Sequence, residues 1–273
     1  KIKDFIEQNK PKSAVVVGGG YIGIEMAENL YNAGLDVTMV EMADKVIGPL
    51  DYDMACDVHN HIKSKGVKLI LGNGVRSISD NGRGLDITLN SGEVSADIMI
   101  MAIGVKSETG IAKDAGIELN QRGSIIVDSN MQTSISDIYA VGDAIEVTDF
   151  VAKEKAFIPL AGPANKQGRI AADNICGFKS EYKGTQGSAI LKVFDMTVAT
   201  TGINEKTAKS LNLDYEKSFT YSASHASYYP DAVNMSVKVI FEKATGKILG
   251  AQLVGFDGVD KRCDVFATAI RTG

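Results

Sequence analysis

The sequence predicts an α/β fold wound around a parallel sheet, followed by a smaller α+β part. Three observations predict it. A β-branched run, Ser13–Val17, is bounded by Gly18 and leads into a helical pattern. A second run, Asp36–Glu41, closes a β-α-β unit of about 30 residues, which requires a right-handed crossover. After about residue 184 the pattern turns rich in strands.

Each element has a local reason. Ser13–Val17 is continuously apolar from Ala14, the mark of a strand buried on both faces. From Tyr21 to Ala33, Ile22, Met26 and Leu30 recur every four residues on one helical face, and Gly34 stops the helix. A helix over 51–65 precedes a third strand, Val67–Leu71. Val75–Ser79, Leu85–Leu89 and Glu93–Ala96 flank Asn81-Gly82 and Ser91-Gly92, turn pairs that predict an antiparallel meander. Asp97–Ile103 reads as a return to the parallel sheet. Ser124–Val127 and Ile138–Val141 are further strand candidates, and 149–157 reads as loop. A helix follows over 162–176, with Pro163 in its first turn. In the last part Ala189–Phe194, Thr197–Thr201, Met235–Phe241 and Ile248–Val254 read as strands, and 204–211 and 259–270 as helices.

Composition excludes several classes. The 273 residues are 44% hydrophobic and 23% charged, with 28 Gly and 5 Pro, which fits a globular chain and neither a disordered nor a collagen-like one. No apolar run approaches the ~20 residues that a membrane-spanning helix needs. A net charge of −5 gives no electrostatic footprint for nucleic acid. Cys56, Cys176 and Cys263 are odd in number and widely spaced, so they predict neither disulfides nor zinc and suit a reducing cytoplasm. They are expected to be small buried hydrophobes.

The sharpest motif is Gly18-Gly19-Gly20-Tyr21-Ile22-Gly23, a G-x-G-x-x-G lying after a strand and opening a helix. Gly18 permits the tight turn, Gly20 lets backbone approach a pyrophosphate, and Gly23 lets helix pack on strand. The helix N-terminus offers amides and a positive dipole end to the phosphates. Glu41, ending the second strand, is placed to accept from the adenosine ribose hydroxyls. Its charge would repel a 2′-phosphate and favours NADH over NADPH. A second motif, Thr133–Asp143, ends in Gly142-Asp143 and sets a carboxylate at the carboxyl end of a strand, where open α/β sheets bind ligands.

Gly18–Gly23, Ala102-Ile103-Gly104 and Thr133–Asp143 together resemble the FAD-dependent pyridine nucleotide–disulfide oxidoreductases. The likeness is greatest to coenzyme A-disulfide reductases and to related NADH oxidases, peroxidases and polysulfide reductases. The stretches 158–169, 184–188 and 225–230 narrow it further, and it covers essentially the whole chain. The resemblance implies a Rossmann-like NAD(P)-binding domain (1–108), the C-terminal part of an FAD-binding domain (109–183) and an α+β dimerisation domain (184–273). It implies FAD and NADH or NADPH as cofactors, a homodimer, and a small disulfide or persulfide substrate.

By that resemblance Gly142 and Asp143 meet the ribityl chain of FAD. The helix after Pro159, Leu160 and Ala161 points its amides at the flavin pyrimidine edge. Ala102, Ile103 and Gly104 pass near the nicotinamide, Tyr21 covers the flavin until the nicotinamide arrives, and Glu25 sits near the carboxamide. Asn165 and Lys166 meet a coenzyme A-type substrate, and Tyr228 and Tyr229 reach its thiol across the dimer. Plainer roles stand beside these: packing for Tyr21, Tyr228 and Tyr229, and solvated surface for Glu25, Asn165 and Lys166. The family's own FAD fingerprint and its redox cysteine in a Ser-Cys-Gly-like context have no counterpart here. The chain is therefore expected to be a fragment, unable to turn over a disulfide by itself. An NADH oxidase or peroxidase, or a non-catalytic NADH-binding module, is the alternative.

Overall fold

The computed structural model describes all 273 residues. Helix α1 (Ile2–Asn9) leads into β1 (Ser13–Val17), α2 (Tyr21–Asn32), β2 (Asp36–Val40), α3 (Tyr52–Ser64) and β3 (Lys68–Ile70). Then come β4 (Val75–Asp80), β5 (Leu85–Leu89), β6 (Glu93–Ala96), β7 (Ile98–Met101) and the short α4 (Gly110–Asp114). The strands β1, β2, β3 and β7 form a parallel sheet in the order β3-β2-β1-β7. In it Val15 pairs with Thr38 on one side and Met99 on the other. Period-2 alternation divides β1 between two cores. Ala14 and Val16 face α2 and α3, whereas Val15 and Val17 face the meander β4-β5-β6 through Ile87, Leu89 and Ala96.

The middle segment holds little regular structure. Ser124–Val127 and Ile138–Val141 are not strands. Ile125 bridges singly to Leu119 and Ile145, and Tyr139 singly to Gln132. Neither run finds a partner beyond single bridges, and a small cluster of Ile125, Met131, Ile145, Val147 and Ala171 holds them instead. Within the expected loop, β8 (Val147–Thr148) and β9 (Lys155–Ala156) pair as a minimal hairpin. Helix α5 (Ala161–Ile175) follows.

The last part is a five-stranded antiparallel sheet, ordered β10-β11-β14-β13-β12. Its strands are β10 (Ala189–Val193), β11 (Met196–Gly202), β12 (Tyr215–Ala223), β13 (Asn234–Glu242) and β14 (Ile248–Gly255), with α6 (Glu205–Ser210) between β11 and β12. Alternation again splits the strands: Val198 and Val254 join the core of α2 and α3, and Ala199 and Leu253 pack under α7 (Val259–Thr272). The seam between the two sheets is therefore continuous hydrophobic core. Strand β12, not expected from the sequence, is an edge strand with no fully buried residue, and Lys217 interrupts its face of Tyr215, Phe219, Tyr221 and Ala223. Of the cysteines only Cys263 is buried. Cys56 is half-buried and Cys176 is exposed at the end of α5, which corrects the expectation for that residue.

Candidate functional site

The glycine turn is built by close backbone contact. A Cβ at Gly18 would lie 2.3 Å from the Ala102 carbonyl oxygen, and Gly18 has φ +110°. A Cβ at Gly23 would lie 1.9 Å from the Gly18 carbonyl oxygen and 3.6 Å from the Ala102 methyl. Both positions are closed to side chains by β1, α2 and the end of β7. Gly20, by contrast, has nothing within 4 Å of its missing Cβ. No side chain caps α2, so its first-turn amides face that open space. The turn therefore fits a diphosphate: close packing beneath, and free donors with room above.

Glu41 emerges from β2 at this turn. Its carboxylate accepts the Gly19 N–H and, at 2.7 Å, the Ala43 N–H. It thus braces the turn from one side with its charge half-exposed. Ile22, Ile103 and Met42 stand exposed, and Gly104 and Glu25 are exposed as well. Ala102 is half-buried, its N–H donating to the Val17 carbonyl at 2.7 Å.

The residues expected on the flavin side lie on the middle segment. Gly142 opens a single 3-10 turn (Gly142–Ala144) that leaves Asp143 exposed. The Gly142 N–H donates to Gln167 Oε1 at 2.8 Å, and Gln167 is 1% exposed. Ser107 donates its hydroxyl to the Asp143 carbonyl. Sequence reasoning did not single out Gln167 as a site residue. Its signal was a polar residue at an inward position of an otherwise amphipathic helix. Pro159 and Leu160 lead into α5, whose first turn at Ala161 also lacks a side-chain cap.

A cleft of about 450 Å³ opens where the three parts of the chain meet. Tyr21, Pro49, Pro159, Leu160, Thr200 and Gln252 line it. The structure thus brings Tyr21, from the glycine turn, together with the approach to α5. Burial pushes the Tyr21 phenol above its ordinary pKa, with Thr200 opposing through a hydrogen bond. A wider hollow of about 670 Å³ around Lys106, Lys113 and Arg122 shares no residue with the turn or the cleft. Asn165 and Lys166 are exposed on α5, and Asn165 donates back to the Ala161 carbonyl at 3.0 Å. Tyr228 and Tyr229 stand exposed beyond β12, their ring centroids 6.0 Å apart, in a different part of the fold from Asn165 and Lys166.

The acidic cluster Asp51, Asp53 and Glu205 is filled by a lysine. Lys238, fully buried, places Nζ 3.0 Å from Asp51 and 2.7 Å from Asp53, and also reaches Glu205. A cation site is already satisfied there by the chain itself.

Comparison with known proteins places the chain. Residues 2–168 match the model of pyridine nucleotide-disulphide oxidoreductases, and residues 188–273 match the dimerisation domain of the same group. The chain belongs to the pyridine nucleotide-disulphide oxidoreductase family. Members of this family use FAD and NAD(P)H. An NADH oxidase of Methanocaldococcus jannaschii is 36% identical, aligned over 98% of this chain and 60% of its own length. A coenzyme A disulfide reductase of Staphylococcus haemolyticus is 34% identical, with the same coverage of 98% and 60%. Among solved structures, reduced Bacillus anthracis CoADR-RHD superposes with a TM-score of 0.96 at 52% identity, over 99% of this chain and 49% of that one. An NAD-dependent persulfide reductase from A. fulgidus gives 0.95 at 40% identity, over 99% and 50%. The chain thus spans about three fifths of these curated relatives and about half of these solved chains. No helix is long and apolar enough to cross a membrane.

Proposed function

We propose that this chain is the NAD(P)H-binding and dimerisation portion of an FAD-dependent disulfide or persulfide reductase that acts on coenzyme A-linked sulfur. In this reading 1–108 binds the nicotinamide cofactor, 109–183 contributes to the flavin site and 184–273 forms a homodimer. The observation that carries it is the glycine turn, closed at Gly18 and Gly23, open at Gly20 and flanked by an acidic Glu41.

Each residue then has a physical task. The uncapped first turn of α2 holds the diphosphate with backbone amides. Glu41 accepts from the adenosine ribose hydroxyls, and its charge disfavours a 2′-phosphate, so NADH is preferred over NADPH. Ile22, Ala102, Ile103 and Gly104 give the dinucleotide an apolar edge, and Glu25 meets the carboxamide. Tyr21, in the cleft beside Pro159 and Leu160, shields the flavin face until the nicotinamide displaces its ring. Gly142 and Asp143 meet the ribityl chain. The first turn at Ala161 directs its dipole at the flavin pyrimidine edge, which gains negative charge on reduction. FAD, when bound, supplies the two-electron relay from nicotinamide to sulfur. Asn165 and Lys166 attract the phosphates of a coenzyme A-type substrate, and Tyr228 and Tyr229 approach its thiol across the dimer. Three unpaired cysteines suit a reducing, cytoplasmic setting.

NADH titration tests the core of this reading. The chain has no Trp, so enhancement of the nicotinamide's own fluorescence reports binding without interference. Saturable binding that ADP-ribose competes away is expected. A well-folded protein that leaves the signal unchanged would sink the proposal. The 36% identity to an NADH oxidase supports a second reading, in which dioxygen or peroxide accepts the electrons. NADH-dependent oxygen uptake without coenzyme A disulfide reduction, measured on the full reading frame, would favour that one.

A further inference from the structure

Residues 42–51, between β2 and α3, form a strap that touches the glycine turn at one end and the antiparallel sheet at the other. The Ile47 N–H donates to the Gly19 carbonyl at 2.8 Å. Val46 closes over the same glycine, where an added Cβ would come within 2.9 Å of Cγ1. At the far end the Asp51 N–H donates to Gln252 Oε1 at 2.6 Å, and Asn204 Nδ2 donates to the Pro49 carbonyl at 3.1 Å. Between these anchors Ile47 is held at φ +52° with its side chain fully buried. A β-branched residue avoids that left-handed region, and it persists only where the surroundings over-determine it.

His59 supplies the support at the middle of the strap. It projects from α3, is 5% exposed, and accepts the Val46 N–H through Nε2 at 3.2 Å. Accepting through Nε2 requires a neutral imidazole with its proton on Nδ1. The charged groups facing it are Lys63 from α3 and Asp44 and Lys45 from the strap, and the Tyr52 ring stands edge-on at 6.2 Å. Burial, then Lys63, hold its pKa below the ordinary 6.5, with Asp44 opposing and Lys45 adding to the effect. A protonated ring would aim an N–H at the Val46 N–H and leave that buried donor unpaired, which is costly.

We propose that His59 is a positioning residue for the dinucleotide turn: its neutral imidazole fixes the strap whose Ile47 amide sets the Gly19 peptide. The inference rests on reading that turn as the NAD(P)H site. Because the folded, strapped state favours neutral His59, the effect is fully present above pH 6.5 and is lost as pH falls through the depressed value.

The test uses ADP-ribose, which carries the adenosine and diphosphate and survives the acid conditions that destroy NADH. Its affinity is measured by calorimetry from about pH 8 to about pH 4.5, so that the range extends well below the ordinary histidine value. Wild-type affinity is expected to fall severalfold towards the acid end of that range. His59→Gln keeps an acceptor for the Val46 N–H but does not titrate, so it should bind as wild type at the upper end and stay flat on acidification. Superimposable pH profiles for wild type and His59→Gln would overturn the proposal. Amide hydrogen exchange at Val46 and Ile47, corrected for intrinsic rates and measured without nucleotide, gives an independent arm. Protection lost on acidification in wild type but not in His59→Gln supports the strap, and protection unchanged in both refutes it. Absence of ADP-ribose binding at the upper pH would instead fall on the dinucleotide reading, and the exchange arm would still decide the strap.

Discussion

A methyl group at Gly23 would lie 1.9 Å from a backbone oxygen, whereas one at Gly20 would touch nothing within 4 Å. The same substitution at the two positions therefore separates folding from binding. Gly23→Ala must move α2 off β1 and should cost about 1–3 kcal/mol or more, read as a lower denaturation midpoint. Gly20→Ala sits in extended backbone at the N-cap of α2, where Ala is a poorer cap than Gly, so stability should fall by only about 0.5–1 kcal/mol. Its methyl nonetheless occupies the space over the free amides, and NADH binding should be lost. Equal loss of stability in the two variants would argue against a ligand space at Gly20. Glu41→Gln makes a parallel test of charge. The amide keeps an oxygen for the Gly19 N–H, turns its NH2 towards the Ala43 N–H and no longer repels a 2′-phosphate. NADH affinity should weaken by up to about tenfold, and preference over NADPH should shrink with it. Parallel titrations with both dinucleotides measure the ratio.

Elements differ in how plainly they announce themselves. Strands β1 and β2 were readable because both their faces meet core, whereas α2 and α3 each bury one face; on α2 that face is Gly23, Ile24, Ala27 and Leu30, and Ile22 of the expected stripe is exposed. Strand β12 was missed although Tyr215, Phe219, Tyr221 and Ala223 alternate with Glu216, Ser218, Thr220 and Ser222: Lys217 interrupts the apolar face, and at the sheet edge that face is at most half-buried. Ser124–Val127 and Ile138–Val141 misled because β-branched residues also serve single bridges within an irregular core. The site divides the same way. Gly18–Gly23 and Glu41 are adjacent to regular elements and were legible. Gln167 was not, because its role depends on a contact 25 residues away, with the Gly142 amide. That contact can be tested. Gln167→Leu removes the only side-chain acceptor of a part-buried N–H and should destabilise by about 1–3 kcal/mol. NADH affinity should be unchanged, since the glycine turn lies on a different element. A coupled loss of NADH binding in a folded variant would contradict this separation.

Across the whole molecule the parallel and antiparallel sheets are joined by apolar core, and one buried ionic network crosses the seam. Lys238 of β13 meets Asp51 and Asp53 at the head of α3 and Glu205 at the head of α6, while Tyr215 and Lys217 of β12 also hold Glu205. Burial alone would raise the Glu205 carboxyl. Hydrogen bonds from Lys217, Lys238 and Tyr215 outweigh it and bring the pKa from 4.5 down to about 2. The folded state thus favours the carboxylate. Its stabilisation is complete above pH 4.5 and is lost as pH falls towards about 2. Lys238 is the mirror case. Burial lowers it, but Asp53, Glu205 and Asp51 raise it to about 12, so its contribution is complete below 10.5 and is lost as pH rises from there through about 12. Lys238→Met strands three carboxylates around an apolar side chain and should cost about 3–5 kcal/mol at neutral pH. Protonating those carboxylates then relieves the variant, so its acid loss should be shallower than that of wild type. Urea midpoints measured across the acid range decide the matter: parallel slopes in wild type and variant would mean that Lys238 does not hold Glu205 ionised, and that the seam rests on its apolar core alone.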